Sequence, residues 1–590
     1  MKKIQLILLL VLLAITGQVG AQIIPTTITN GQFDPGTVFY RIKFTHPFFL
    51  KPYITIGSDV TTTTTPAKAT LFAFVGNDTD GYRIYAKGDA TKYIYLTSTT
   101  SDENVDNVHY GTSDTYDKFK ICKNGSGYTI YQYGPRSSSI PTSLNYVSGS
   151  TLQTWSNSES LSDNNCRVVF EPVEMSLLYQ YTFSEGTVNQ VVYGTIGSAY
   201  PAPATAPAFC TITGSKPSGK VTVGGTETAT FNATWDGPLE YSSDLANAKW
   251  YLMTLGYQDG HKQVFRYSAL NTTINLPTDA YTFTYSSKDQ FAFVGNPLDG
   301  FQVINRSAGN PRLVANADGT GNPSFANSPS SAQSDRWDIY NVTVGPASSI
   351  TVPGDKRFGL NLHGNSAKKL NRSGSSRDVV YWSNHDNGST FTVSQADLPS
   401  LALHEFDGKT YASLYIDYPV EVTSENVKVY TGTVSGNTLQ MTEANDKIIP
   451  AGVGVVLVGN TASETSAALS IANSAGTVSH GVIEGSITDV PIGGLQDLYL
   501  VLGVSNEEPE SVGFFQPTGT TIPAYKAYIP KSATQSVRGL YFNFDGETTS
   551  IDPTVLTPAK EETIYDLGGR RVNKAVKGIY IKNGKKIYVK

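Results

Sequence analysis

Phe72-Ala73-Phe74-Val75-Gly76-Asn77, with Asp80-Gly81-Tyr82 just behind it, decides how this chain is read. The same words return 219 residues later as Phe291-Ala292-Phe293-Val294-Gly295-Asn296 and Asp299-Gly300-Phe301. Eight identities and one Tyr/Phe exchange at a single offset mark two copies of one domain. A second set of matches agrees. Leu144-Asn145, Ser148-Gly149-Ser150 and Trp155-Ser156-Asn157 recur as Leu370-Asn371, Ser373-Gly374-Ser375 and Trp382-Ser383-Asn384.

The first copy also repeats within itself. Gly81-Tyr82-Arg83-Ile84-Tyr85 matches Gly127-Tyr128-Thr129-Ile130-Tyr131, 46 residues on, and Gly36 leads into Val38-Phe39-Tyr40, 45 residues before Gly81. Each unit reads as several short strands with alternating apolar residues. In the second copy Trp250, Gly300 and Arg357 open the corresponding units, and Trp337 on a closing strand is expected in the core.

Three four-stranded units of this length resemble the β-trefoil of ricin-type lectins, in which the units close around a pseudo-threefold axis. The family's Q-x-W signature is absent from the closing strands Asp117–Ile121 and Cys166–Phe170. Gln153-Thr154-Trp155 carries its letters one strand earlier. The expected fold is all-β: two β-trefoil domains at 36–173 and 244–397, a small β spacer at 174–243, a β-sandwich at 398–552 and a short β tail at 558–590. In the spacer, strands are expected at Leu178–Phe183, Val188–Ile196, Val221–Val223 and Thr228–Phe231. The third domain resembles a β-sandwich found near the C-terminus of secreted Bacteroidetes proteins.

The composition agrees with a many-stranded protein. Charged residues are 16%, Gly numbers 54 and Tyr 35. β-Branched and aromatic residues favour strands, and Gly and Asn favour turns. A net charge of −6 over 590 residues gives no reason to expect nucleic acid as a partner.

Met1–Ala21 reads as an export signal. Lys2 and Lys3 precede an apolar run from Leu6 to Ile15, and Val19-Gly20-Ala21 supplies small residues before Gln22. Ten apolar residues fall short of the roughly 20 that span a bilayer, and no later segment is long and apolar enough. At the other end, Ile564-Tyr565-Asp566-Leu567-Gly568-Gly569-Arg570-Arg571-Val572 leads to Lys577-Gly578-Ile579-Tyr580-Ile581. That tail is similar to type IX secretion sorting domains of Bacteroidetes. The resemblance implies the sorting machinery as a partner and a secreted or cell-surface destination, the outer membrane exterior.

No reaction is legible. The seven His are scattered, without H-E-x-x-H or Cys/His ligand spacing. No G-x-S-x-G elbow or phosphate-cradling loop precedes a helix. No catalytic residue, metal or cofactor is expected. Cys122, Cys166 and Cys210 leave two readings open, a Cys122–Cys166 bridge or buried free thiols.

Binding is better motivated. Trp-Ser-Asn joins a flat ring to short hydrogen-bonding side chains, the mix that a pyranose requires: a cover for its C–H face and amides for its hydroxyls. The lectin resemblance points to Trp382, Asn384 and Asp386 in the second copy and Trp155 and Asn157 in the first. The expected function is non-catalytic binding of a glycan or glycoprotein at the cell surface. The alternatives are a structural or adhesive surface protein that binds host or matrix protein, and a glycan-processing enzyme. For the leader, intact-mass analysis of the native protein should give a chain beginning at Gln22. A mass that retains Met1–Ala21 contradicts the export reading.

Overall fold

The computed structural model describes residues 23–590 except 98–107, 114–115, 133–140, 148–150, 157–159, 257–261, 278–281, 317, 343–356, 374–375, 506–509, 535–536, 545–563, 566–570, 573–576, 583–584 and 590. The expected leader, Asn157 and much of the tail motif lie outside the described residues. Among those described, the chain is all-β, and its helices are six three-residue 3-10 turns. None is long and apolar enough to cross a membrane. The chain divides into two compact units, Met1–Asp236 and Gly237–Lys590.

Twelve strands of the first unit, in three sets of four, build its core. These are β1 (Val38–Phe44), β2 (Tyr53–Ile56), β3 (Val60–Thr63) and β4 (Leu71–Asn77); β5 (Gly81–Ala86), β6 (Tyr93–Leu96), β7 (Val108–Gly111) and β8 (Phe119–Asn124); β9 (Gly127–Gln132), β10 (Thr142–Val147), β11 (Thr151–Ser156) and β12 (Val168–Phe183). In each set the first strand pairs with the fourth. Successive pairings run β1–β4, β4–β5, β5–β8, β8–β9, β9–β12 and, to close, β12–β1. The other strands form the hairpins β2–β3, β6–β7 and β10–β11. A six-stranded ring closed in this way leaves none of its six strands as a free edge.

Period-2 alternation fills the ring. Tyr40, Ile42, Phe72, Phe74, Ile84, Phe119 and Ile130 are at most 1% exposed. Phe74 lies at the centre, edge-on to Tyr40 at 5.9 Å, Phe170 at 5.3 Å and Tyr82 at 6.3 Å between ring centroids. Such geometry lets the positive ring edge meet a negative face.

The expected boundary at 173/174 falls inside β12, whose sixteen residues serve two sheets. Val168 to Met175 pair with β1, with a register shift between Pro172 and Glu174. Pro172 lacks an N–H for the ladder, which suits it to an irregular position. From Glu174 onward β12 pairs with β13 (Gly186–Thr195), and at 178–182 it also pairs, in parallel, with β15 (Thr228–Trp235). Beyond β15 lies β14 (Cys210–Thr213), a strand not foreseen from the sequence. Val221–Val223 is not a strand. Val221 is buried there; its amide donates to the Ser198 carbonyl and its carbonyl accepts from the Gly197 amide, both at 2.8 Å, beside an isolated bridge between Ala199 and Lys220. Its side chain is buried as a strand residue's would be, but no neighbour continues the ladder.

In the second unit the ring recurs: β16 (Trp250–Gly256), β17 (Gln290–Asn296), β18 (Gly300–Asn305), β21 (Trp337–Tyr340), β22 (Arg357–Leu362) and β25 (Phe391–Ser394). They pair in that order, and β25 closes on β16. Hairpins β19 (Arg312–Asn316)–β20 (Ser324–Ala326) and β23 (Lys369–Arg372)–β24 (Val379–Trp382) stand outside it. Phe293 repeats the role of Phe74, against Phe301 and Phe358. Trp337 is fully buried and donates from Nε1 to the Leu313 carbonyl at 2.8 Å.

Residues from Leu398 onward build a sandwich-like domain around a ten-stranded sheet. The strand Val455–Gly459 shows how the sheet faces two ways. Val455 and Leu457 enter one core with Val420, Leu469 and Ile471, and Val456 and Val458 enter the other with Leu439, Phe514 and Leu540. The first core also takes Leu252, Val264 and Phe283 from the second ring. Beside it Arg306 lies over Trp250 and Tyr418, 4.9 and 5.0 Å from the ring centroids, and burial lowers its pKa to about 10. Four short strands between Ile564 and Val589 make a separate small sheet in the tail.

The duplicated words form the hairpins β4–β5 and β17–β18, with the same register. Gly76 and Gly295 both have φ of 133°. A Cβ would stand 2.2 Å from the Gly81 carbonyl oxygen in one case and 2.6 Å from that of Gly300 in the other. Asn77 and Asn296 use Oδ1 to accept two turn amides each. Gly295→Ala is therefore expected to destabilise the second unit by about 2–4 kcal/mol, from strained φ and backbone overlap together. Chemical denaturation checks this, and a change near zero would contradict the constraint.

Candidate ligand-binding face

Cross-strand register sorts the β23–β24 hairpin into two faces. Leu370 opposite Tyr381 and Arg372 opposite Val379 share one face; Lys369 opposite Trp382 and Asn371 opposite Val380 share the other. Trp382, the last residue of β24, is 50% exposed. Ser383, Asn384 and Asp386 behind it are exposed too.

The backbone beneath these side chains is tied down. Lys369 Nζ donates to the carbonyls of Ser383 at 2.9 Å and Ser366 at 2.5 Å. Tyr340 Oη lies 3.2 Å from His385 Nδ1. Burial lowers the pKa of His385 and raises that of Tyr340. Asn371, 5% exposed, donates from Nδ2 to Asp386 Oδ1 at 2.5 Å and to Ser389 Oγ at 2.8 Å. Asp386 thus commits Oδ1 to Asn371, and the Ser389 hydroxyl of the turn Asn387–Ser389 donates to the same oxygen at 3.4 Å. The side chains of Trp382 and Asn384 make no hydrogen bond among the described residues, and their polar atoms remain available.

The first copy has the same frame. Ser143 opposes Trp155 and Asn145 opposes Gln153. Asp163 precedes the turn Asn164–Cys166 and accepts from the Asn165 amide at 2.6 Å. Cys166 Sγ lies 3.8 Å from Asn145 Oδ1, where the second copy has Ser389 against Asn371. This accounts for a cysteine in one copy only. Cys122, Cys166 and Cys210 are all free, and burial raises the pKa of each. Trp155 differs from Trp382: it is half-buried, with Nε1 enclosed and unpartnered among the described residues. Asn157 lies outside those residues.

Among the described residues, the equivalent positions of three other hairpins carry no large ring. Thr63 opposes Tyr53, Gly111 opposes Tyr93 and Ala326 stands opposite Arg312. The tryptophan thus belongs to the third set of strands in both copies. The second set of the second copy has a cavity of about 320 Å³ instead. Leu245, Val294 and Ile304 form its apolar wall, and Asn310, Arg312 and Asn327 its polar side. Arg312 Nη1 meets Asp335 at 3.1 Å. In the first copy the corresponding wall is packed by Phe33, Tyr85 and Tyr93. Sequence reading missed this cavity; the lining difference it could have noted is Arg312 in the second copy where the first has Tyr93.

No group of His, Cys, Asp and Glu among the described residues could hold a metal ion. No protein-family profile matches the chain, and no curated protein matches it. Among solved structures, one described as the structure and mode of action of a mosquitocidal holotoxin aligns at 11% identity and a TM-score of 0.21. The alignment covers 86% of this chain and 51% of that one, so this chain spans about half its length. At that TM-score the likeness carries no argument.

The hairpin bearing Trp382 is entered through His363, whose Nδ1 lies 2.6 Å from Asp338 Oδ1. Asp338 Oδ2 also accepts from the Gly364 amide at 3.0 Å. The bond to Asp338 raises the His363 pKa. A raised histidine pKa gives stability that is full below the unfolded value of about 6.5 and is lost as pH rises through the folded value. Amide protection in 357–372 should accordingly fall as pH rises above about 6.5, and His363→Gln should flatten that dependence. Hydrogen exchange on both proteins reads the difference. Equal slopes would show that the pair does not hold the hairpin entry.

Proposed function

We propose that this protein is an exported, non-catalytic glycan-binding protein. Its two rings are read as β-trefoils of the ricin-lectin type, joined by the small sheet of 174–243 and followed by a sandwich and a sorting tail. The observation that carries the reading is Trp382: a large ring, half exposed, at the end of a hairpin whose backbone is fixed from below. Exposed Asn384 and the second oxygen of Asp386 flank it with one amide and one acceptor. A sugar placed on the ring would bury its C–H face there and meet hydrogen-bonding groups at its edge. A fixed backbone lowers the ordering cost of binding.

The greater burial of Trp155 makes the second copy the stronger site. The first-copy pair Trp155 and Asn157 is kept as a weaker one. A purely adhesive protein remains the second reading; it would use exposed apolar surface rather than Trp382.

One mutant separates a contact residue from a packing residue. Trp382→Ala is expected to lower affinity for the best ligand on a glycan array at least tenfold. It should cost about 1 kcal/mol of stability or less, because half the ring is already in water. Trp337→Ala, in the core of the same ring domain, should cost about 3–5 kcal/mol. Calorimetric melting and array binding on both variants test this. Unchanged binding of Trp382→Ala to every glycan that the wild type retains would overturn the site.

A further inference from the structure

The most exposed large apolar side chains among the described residues are Phe48 and Leu50, at 84% and 83%; the next, Tyr588, is at 60%. Both lie in the loop 45–52 between β1 and β2, Thr45-His46-Pro47-Phe48-Phe49-Leu50-Lys51-Pro52. The loop is well fastened. The Phe44 amide donates to the Pro52 carbonyl at 2.8 Å and closes its base. The Thr45 amide donates to the Arg167 carbonyl at 3.0 Å, and that of Phe49 to the His46 carbonyl at 3.2 Å. The Lys51 amide donates to Tyr146 Oη at 3.3 Å. Between the two exposed residues, Phe49 turns inward and its ring lies 3.8 Å from that of Tyr146. His46 packs on Phe49 at 4.8 Å.

An inward Phe49 and outward Phe48 and Leu50 make a small convex apolar tip. Exposing two such side chains on a fastened loop is costly unless something covers them. Shape and size select the cover. A stable protein interface removes roughly 1,600 Å² and engages some 20–30 residues a side, far more than a two-residue tip supplies. A bilayer needs no complementary cavity, and it accepts apolar side chains at the boundary of headgroups and acyl chains. The loop contains no Asp or Glu, and Lys51 is its one formally charged side chain, a sign that favours anionic headgroups.

We propose that the loop 45–52 is a membrane-contact finger that inserts Phe48 and Leu50 into the interfacial layer of an anionic lipid surface. It binds peripherally and acts independently of Trp382.

The test uses the mature full chain with vesicles of phosphatidylcholine alone or mixed with phosphatidylglycerol, read by co-sedimentation. The wild type should bind the anionic vesicles. The double variant Phe48→Ser with Leu50→Ser should lose at least about tenfold in partitioning. Lys51→Gln should lose about fivefold on the anionic vesicles only. In a second measurement, a Phe48→Trp variant should be quenched by acyl-brominated lipid beyond the wild-type level. The proposal is overturned if the wild type binds neither vesicle, if the double variant partitions like the wild type, or if Phe48→Trp shows no added quenching. It is equally overturned if sedimentation velocity shows a wild-type dimer that the double variant lacks, since that result assigns the tip to a second copy of the chain.

Discussion

Everything in the first unit depends on the pairing of β1 with β12, strands separated by roughly 130 positions in the chain. Val168 opposite Phe44 through Phe170 opposite Ile42 is where the ring closes. Without it, β1 and β12 would each expose a ladder edge, and Phe74, Tyr40 and Phe170 would lose their common enclosure. A contact of such long range costs loop-closure entropy, and the aromatic core held inside the ring offsets that cost. The second unit repeats the device with β16 and β25, around Phe293, Phe358 and Phe391.

Closure frees the remaining strands for other tasks. The hairpins outside the ring bury apolar side chains such as Ile94, Leu144, Leu313 and Leu370, and their other faces can vary. Tyr93 packs against Tyr85 and Phe33 in one copy, while Arg312 borders an open cavity in the other. Trp382 stands half in water, and its counterpart Trp155 is drawn in. Beneath both tryptophans the supporting polar residue is kept: Asn145 and Asn371 each meet the third residue of the next turn, Cys166 or Ser389. A buried amide that must find a partner fixes the turn, and the turn in turn holds the residues just after the tryptophan.

β12 links this ring to the next sheet. A single strand of sixteen residues is shared by both, with the irregularity at Pro172–Glu174 where its second set of partners begins. The composition shift after Glu174 marks that change of partners, although the strand itself continues. The second ring meets the sandwich differently, through Leu252, Val264 and Phe283 in a common core and through Arg306 held between two aromatic rings. The burial of a guanidinium in that seam is made tolerable by the π-faces of Trp250 and Tyr418 and by the Gln290 amide oxygen at 2.8 Å.

The sequence by itself determined the duplication, the strand class and the hairpins around Gly76 and Gly295, because local alternation and glycine-dependent turns are written in consecutive residues. It also placed Trp337 in the core. It did not reveal that Val221–Val223 lacks a ladder, that Cys210–Thr213 has one, or that β12 serves two sheets. Strand pairing is decided by partners distant in the chain. Nor could it tell Trp155 from Trp382, which share the same three letters. Their exposures differ because the faces of a hairpin are covered or left open by segments remote in sequence, and only the tertiary structure brings those segments together.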